Sequence, residues 1–266
     1  MNEGEALRAF VRVAESSGVS VLLIGAKARE IVFDHRIDGQ AFRATGDVDF
    51  GVRTSSPEDY EVFIEALVAS GVFLRVGPHK LTHIDGTEVD VVPFGGIADE
   101  QGNVTWLDSG KVMSVRGFEA AETHREAIDL DGVRVEVVTL AGLIVLKLYA
   151  LRDRVLESGA TDLHDLAYIL HNATEFLNER VLASLGKDLI ASLSYEEWGP
   201  YLLGRDVAKI VPIAEARDLA GIIDAYVLVP PDYVRLDRAK RGGDLDAAVK
   251  RFAAFKRGLV GADQAA

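Results

Sequence analysis

The stretch RATGDVDFGV, residues 43–52, sets Asp47 and Asp49 two apart within an apolar alternation of Val48, Phe50 and Val52. Side chains of a strand alternate between its faces, so the two aspartates share one face and the three apolar residues the other. The apolar set can be buried. The acidic set then stands together where the strand opens, and two like charges repel unless a positive charge lies between them. Taken alone, the spacing also fits a strand that merely opens with solvated aspartates. The surrounding sequence has to decide.

Upstream, residues 4–16 carry Ala6, Leu7, Phe10, Val11, Val13 and Ala14 at helical spacing and end in Ser-Ser-Gly. VSVLLIG follows, a short continuous apolar run of the kind found in buried strands, and AKAREIVFDH reads as a helix beginning directly behind it. Downstream, SSPEDYEVFIEALVASG is marked as a helix by Ser56 as N-cap, Pro57 in the first turn and Gly71 at the C-terminus. Asp85-Gly86 is a two-residue hairpin signal between LTHI and TEVDVV, and Asp131-Gly132 a second one between AIDL and VRVEVV. Glu88 and Asp90 share a face opposite Val89 and Val91. From Thr139 the texture turns helical, through TLAGLIVLKLYALRDRVLES and DLHDLAYILHNA to about Ala225, interrupted by Pro212, Pro230 and Pro231. The expected architecture is an α/β (α+β) core with a mixed sheet over residues 1–138, followed by an α-helical domain over residues 139–266.

Composition narrows the function classes. The 266 residues include no cysteine, which excludes disulfides, a thiol nucleophile and cysteine-ligated metals. The N-terminus lacks a basic, then apolar, leader, and the most apolar run is too short to span a bilayer, so the expectation is a cytoplasmic protein with no membrane partner. The net charge of −13 repels bulk nucleic acid. From Arg235 onward, however, 8 Lys+Arg face 4 Asp+Glu, so Arg235, Arg238, Lys240 and Arg241 form a candidate basic patch for local polyanion contact.

Three features then stand together: a strand–Gly–helix turn at Gly25, the Asp47/Asp49 pair, and Asp90 on a later strand. The turn offers backbone N–H groups to an anion. Three carboxylates at neighbouring strand ends offer hard oxygen ligands to Mg²⁺. IGAKA, then RATGDVDFGV, then TEVDVVPF resembles the ordered motif set of the nucleotidyltransferase (DNA polymerase β-like) superfamily. LIVLKLYALRDR and TDLHDLAYIL are similar to the later motifs of its minimal, AbiEii-type members, found in toxin–antitoxin and phage-defence systems.

The resemblance covers roughly residues 18–172 and implies a metal-dependent enzyme of the nucleotidyltransferase class. Its reaction would move a nucleoside monophosphate from an NTP such as ATP to a hydroxyl acceptor on RNA, a protein or a small molecule. It implies Asp47, Asp49 and Asp90 as ligands of Mg²⁺ or Mn²⁺, Gly25 and the amides behind it as the triphosphate seat, and Lys147 and Asp162 as the later Lys and Asp motifs, with Lys147 near the phosphates. The helical domain would close over the nucleotide. The family usually carries Gly or Ser where this chain has Ala26, so a hydroxyl contact is missing and Lys27 would have to compensate. That departure is what favours the alternative, a degenerate member serving as a binding module in a toxin–antitoxin pair with a cognate partner.

Several residues keep a second reading. Arg43 fits a phosphate clamp or an ion pair with Asp47. Lys147 fits a lysine snorkelling from an apolar helix. Asp162 and Asp165 fit the charged N-terminus of a helix. His79 and His83 lie on a hairpin arm with no convergent carboxylate, which speaks against zinc, and Trp106 and Trp198 read as packing residues.

Overall fold

A stacked ring pair carries the first half of the chain: Phe10 lies on Phe50 at 4.1 Å between centroids, with Phe63 and Phe73 set edge-on at 5.7 and 6.1 Å. Such pairs add about 0.5–1.5 kcal/mol each beyond the area they bury. They also fix which way strand residues face. The computed structural model describes residues 3–37, 46–106, 110–154, 159–228 and 245–261. The chain divides into two compact units, Met1–Leu143 and Ile144–Ala266.

In the first unit, the elements run α1 (Glu3–Ser17), β1 (Val21–Ile24), α2 (Gly25–Arg29), a π-helical turn (Glu30–Asp34), α3 (His35–Ile37), β2 (Asp47–Arg53) and α4 (Pro57–Ala69). They continue as β3 (Phe73–Gly77), β4 (Lys80–His83), β5 (Glu88–Phe94), β6 (Asn103–Thr105), β7 (Val112–Ser114), α5 (Phe118–Thr123), β8 (Glu126–Leu130) and β9 (Val133–Val137). Seven strands form one mixed sheet in the order β3-β4-β5-β2-β1-β9-β8, with β2/β5 and β1/β9 parallel. β6 and β7 pair separately. Val48, Phe50 and Val52 are fully buried, as are Val89 and Val91 beside them. The alternation therefore puts Asp47, Asp49 and Asp90 on the other face. Farther along that face, Gly51 leaves room for the Phe118 ring of α5, which a Cβ there would meet at 3.0 Å.

The cap of α4 is as expected: the Ser56 hydroxyl accepts from Asp59 N at 3.1 Å, and Gly71 turns the chain at φ +79°. The two Asp-Gly pairs behave differently. Asp131 and Gly132 both take positive φ, 52° and 82°, the mark of the tight two-residue turn. At Asp85-Gly86 only Gly86 does so, at +90°. There His83 N donates to Thr87 O at 2.9 Å and Gly86 N to His83 O at 2.8 Å, closing a three-residue loop. The short helix α5 has no counterpart in the sequence reading, and the helix expected over AKAREIVFDH is α-helical only at its two ends, with the π-helical turn between them.

The second unit is helical. Helix α6 (Leu140–Arg154) begins in the first unit and runs into it. There follow α7 (Gly159–Phe176), α8 (Asn178–Ser184), α9 (Lys187–Ser192), α10 (Tyr195–Ile210), α11 (Ile213–Ile223), a second π-helical turn (Asp224–Leu228) and α12 (Leu245–Val260). Helices α10 and α12 meet backbone to backbone: a Cβ on Gly204 would sit 2.0 Å from Phe255 O, and one on Gly258 2.0 Å from Tyr201 O. Phe252, Ala254, Phe255 and Leu259 are buried. Residues 245–261 are therefore a packed helix and its end. Lys256 pairs with Asp224 at 2.6 Å and Arg251 with Glu196 at 2.7 Å, so part of its positive charge is spent on internal ion pairs. Arg235, Arg238, Lys240 and Arg241 lie outside the described residues. Among the described residues no helix is long and apolar enough to cross a membrane.

Candidate active site

Strand β1 runs antiparallel to β2 with Ile24 opposite Asp49, and the chain turns into helix at the next residue. Gly25 makes that turn at φ +70°, and a Cβ there would fall 1.9 Å from Asp49 Oδ2. Two constraints coincide. The left-handed backbone disfavours any side chain, and the space a side chain would need is filled by the Asp49 carboxylate. The expected strand–Gly–helix turn and the second aspartate thus meet in one place.

Strand β5 lies parallel to β2 on the other side, in a register that pairs Asp49 with Asp90 and Asp47 with Glu88. Paired residues of adjacent strands project to the same face, so four carboxylates form a block two strands wide on one side of the sheet. Like charges directly opposite are destabilising. One cation is built in: β4 pairs Lys80 with Asp90, and Lys80 Nζ lies 3.2 Å from Asp90 Oδ1 and 3.5 Å from Glu88 Oε2. Burial works against the Lys80 charge, but the pairing with Asp90 and Glu88 outweighs it and holds the ammonium above the ordinary lysine pKa. The Asp90 Oδ1 atom is itself buried and, among the described residues, accepts no aligned hydrogen bond, so the contact with Lys80 is one of charge.

The row offers carboxylate oxygens of like sign, side by side, the donor type that a hard divalent cation takes. Among the described residues no three His, Asp or Glu side chains are gathered into a metal cage as they stand. The carboxylates would have to turn onto an ion to hold it.

The remaining residues singled out in the sequence sort by unit. Ala26 is buried behind Gly25 and brings no hydroxyl. Lys27 meets both carboxylate oxygens of Glu30 at 3.0 Å, so its ammonium is already engaged. Arg43 lies outside the described residues. Lys147 and Asp162 belong to the helical unit, where Lys147 is buried, with Nζ 2.6 Å from Asp165 Oδ2 and 3.5 Å from Asp162 Oδ1. Arg154 reaches the other oxygen of Asp162 at 3.0 Å. Lys147 does not snorkel; it ties α6 to α7. His83 Nδ1 stands 2.9 Å from Asp85 Oδ1, and Trp106 is buried with its ring 5.6 Å from that of Tyr60.

Two features escaped the sequence. Lys80 was hidden by the hairpin register: a two-residue turn at Asp85-Gly86 would set Lys80 opposite Val91, and one residue of slip moves a side chain to the other face. Arg29 and Asp34 form a fully buried pair, with Nε 3.3 Å from each carboxylate oxygen. They are five residues apart, a spacing that an α-helix splays and the π-helical turn of Glu30–Asp34 brings to one side.

No family model matches the chain. No curated protein matches it either. Among solved structures, it is similar to an antigenic nucleotidyltransferase-like protein from Paracoccidioides brasiliensis at 14 % identity and TM-score 0.40, over 71 % of this chain and 90 % of that one. It is also similar to the antibiotic-resistance factor ANT(2'')-Ia at 12 % identity and TM-score 0.39, over 90 % of this chain and 97 % of that one.

Proposed function

We propose that the chain is a metal-dependent nucleotidyltransferase. The observation that carries the reading is the in-register pair Asp49–Asp90, with Asp47 on the same face and Gly25 shaped around Asp49. A sheet gains nothing in stability from like charges placed opposite each other, and a cation-dependent site accounts for them. Asp47, Asp49 and Asp90 would hold Mg²⁺ or Mn²⁺, which when bound polarises phosphoryl oxygens and offsets the charge developing on them. The turn at Gly25 presents backbone N–H groups to the triphosphate. A hydroxyl oxygen of the acceptor would form a bond to the α-phosphorus as the bond to pyrophosphate breaks, and Asp90 would receive the hydroxyl proton.

The sequence motifs support the AbiEii-type, toxin–antitoxin-related variety of this activity, with RNA, a protein or a small molecule as acceptor. A second reading rests on two observations. Ala26 supplies no hydroxyl, and Lys27 is engaged by Glu30. Together they favour a binding module that holds a nucleotide or a cognate partner without turnover. Calorimetric titration with Mg-ATP and Mg-GTP, followed by incubation of labelled NTP with lysate RNA and protein, separates the two. Binding that needs Asp49 and labels an acceptor pool establishes the transferase. Binding without labelled product establishes the module, and NTP binding indifferent to Asp49→Asn removes the site altogether.

A further inference from the structure

The sheet register brings a side chain of opposite sign, Lys80, into the carboxylate row. Its position is held from three sides. The Tyr60 hydroxyl lies 3.1 Å from Pro78 O and 3.2 Å from Val91 O, its proton shared between the two carbonyls. Val91 N donates to His79 O at 2.8 Å. The turn before Lys80 is thus tied to the strand that bears Asp90. The Lys80 side chain is 43 % exposed and carries its ammonium on a flexible stem, so the head can turn toward solvent.

We propose that Lys80 is a built-in occupant of the cation seat, whose ammonium stands against Asp90 in place of a divalent ion and must swing away for the ion to bind. The inference rests on the reading of Asp47, Asp49 and Asp90 as metal ligands and adds a regulatory element to it. Lys80 relieves the repulsion of the row while the seat holds no metal, and it raises the metal concentration needed to fill the seat. A fixed charge repels an incoming cation; a tethered one sets a competition that the ion can win, because the lysine head is better solvated outside the row than within it.

The test is Mn²⁺ alone, titrated calorimetrically into the full-length chain and into Lys80→Met, Lys80→Gln, Lys80→Arg, Asp90→Asn and Lys80→Met/Asp90→Asn variants. The two neutral variants should bind Mn²⁺ roughly three- to tenfold more tightly than the parent, the size expected of one partly exposed like charge. Lys80→Arg should bind no more tightly than the parent. Added salt should shrink the ratio between neutral variant and parent, since an exposed charge is screened. Parent without measurable binding and Lys80→Met with binding that Asp90→Asn abolishes would support the proposal equally. Neutral variants that match the parent, or bind more weakly while Asp90→Asn still abolishes binding, overturn the Lys80 role and leave the metal reading intact. No Asp90-dependent Mn²⁺ binding in any variant overturns both.

Discussion

The two units treat aspartate in opposite ways. In the sheet, Asp49 and Asp90 sit at neighbouring positions of parallel strands, half-buried and of like sign, with Lys80 on a flexible stem against one of them. In the helical unit, Asp162 and Asp165 are buried and closed around Lys147, with Arg154 at the rim. In the first, carboxylates of like sign lie side by side with a partly exposed lysine against one of them; in the second, each buried carboxylate has a basic partner within ion-pair distance. Burial and sign of the nearest neighbour, rather than the count of acidic residues, separate a candidate site from a brace between helices. In that brace Lys147 is engaged with both Asp162 and Asp165, and Asp162 also with Arg154.

The comparison breaks most readily at Lys147. Lys147→Met leaves buried carboxylates without their lysine, and chemical denaturation should show a loss of about 3–5 kcal/mol. Pairing it with Asp165→Asn should recover much of that loss. A single variant as stable as the parent would mean that the cluster is no brace. Gly25→Ala comes next. It forces a side chain into a positive-φ turn, at about 1–3 kcal/mol, and pushes the Asp49 carboxylate aside, so Mg-NTP binding should weaken along with stability. Unaltered binding would detach the turn from the site.

Asp49→Asn and Asp90→Asn should behave oppositely to Lys147→Met. Each should stay within about 1 kcal/mol of the parent, because a like-charge contact is lost, yet each should abolish Mn²⁺ and Mg-NTP binding. A large loss of stability in either would make the row a structural element. The smallest effect is expected at Asp85. Burial works to raise its pKa, but the Thr87 N–H donated at 2.9 Å, the contact with His83 and the Thr87 hydroxyl together bring it down to about 2. Its folded value lies below the unfolded one, so its contribution is complete above about pH 4 and fades as pH falls toward 2. In urea unfolding midpoints across that window, Asp85→Asn should flatten the acid slope slightly. An unchanged slope would show that the loop does not feel the charge.

Much of the first unit was legible because strand alternation is a strict period of two. Val48 and Phe50 had to be buried, so Asp47 and Asp49 had to share the opposite face, and Asp90 followed from Val89 and Val91 in the same way. Glycine at residue 25, Ser56 as a cap and Asp131-Gly132 as a tight turn were equally readable, since each answers to local backbone chemistry. What the sequence could not settle is every pairing that depends on a distance across space. The direction of β5, and hence the contact of Asp49 with Asp90, is set by how strands assemble into the sheet. The arrival of Lys80 beside them hangs on one residue of hairpin register, and the burial of Arg29 against Asp34 on a helical turn wound to a different period. The engagement of Lys147 with Asp165 needs α6 laid on α7. Local periodicity determined which residues face together within each element; only packing decided which elements bring their charges into contact, because Coulomb energy depends on separation in space and not on separation along the chain.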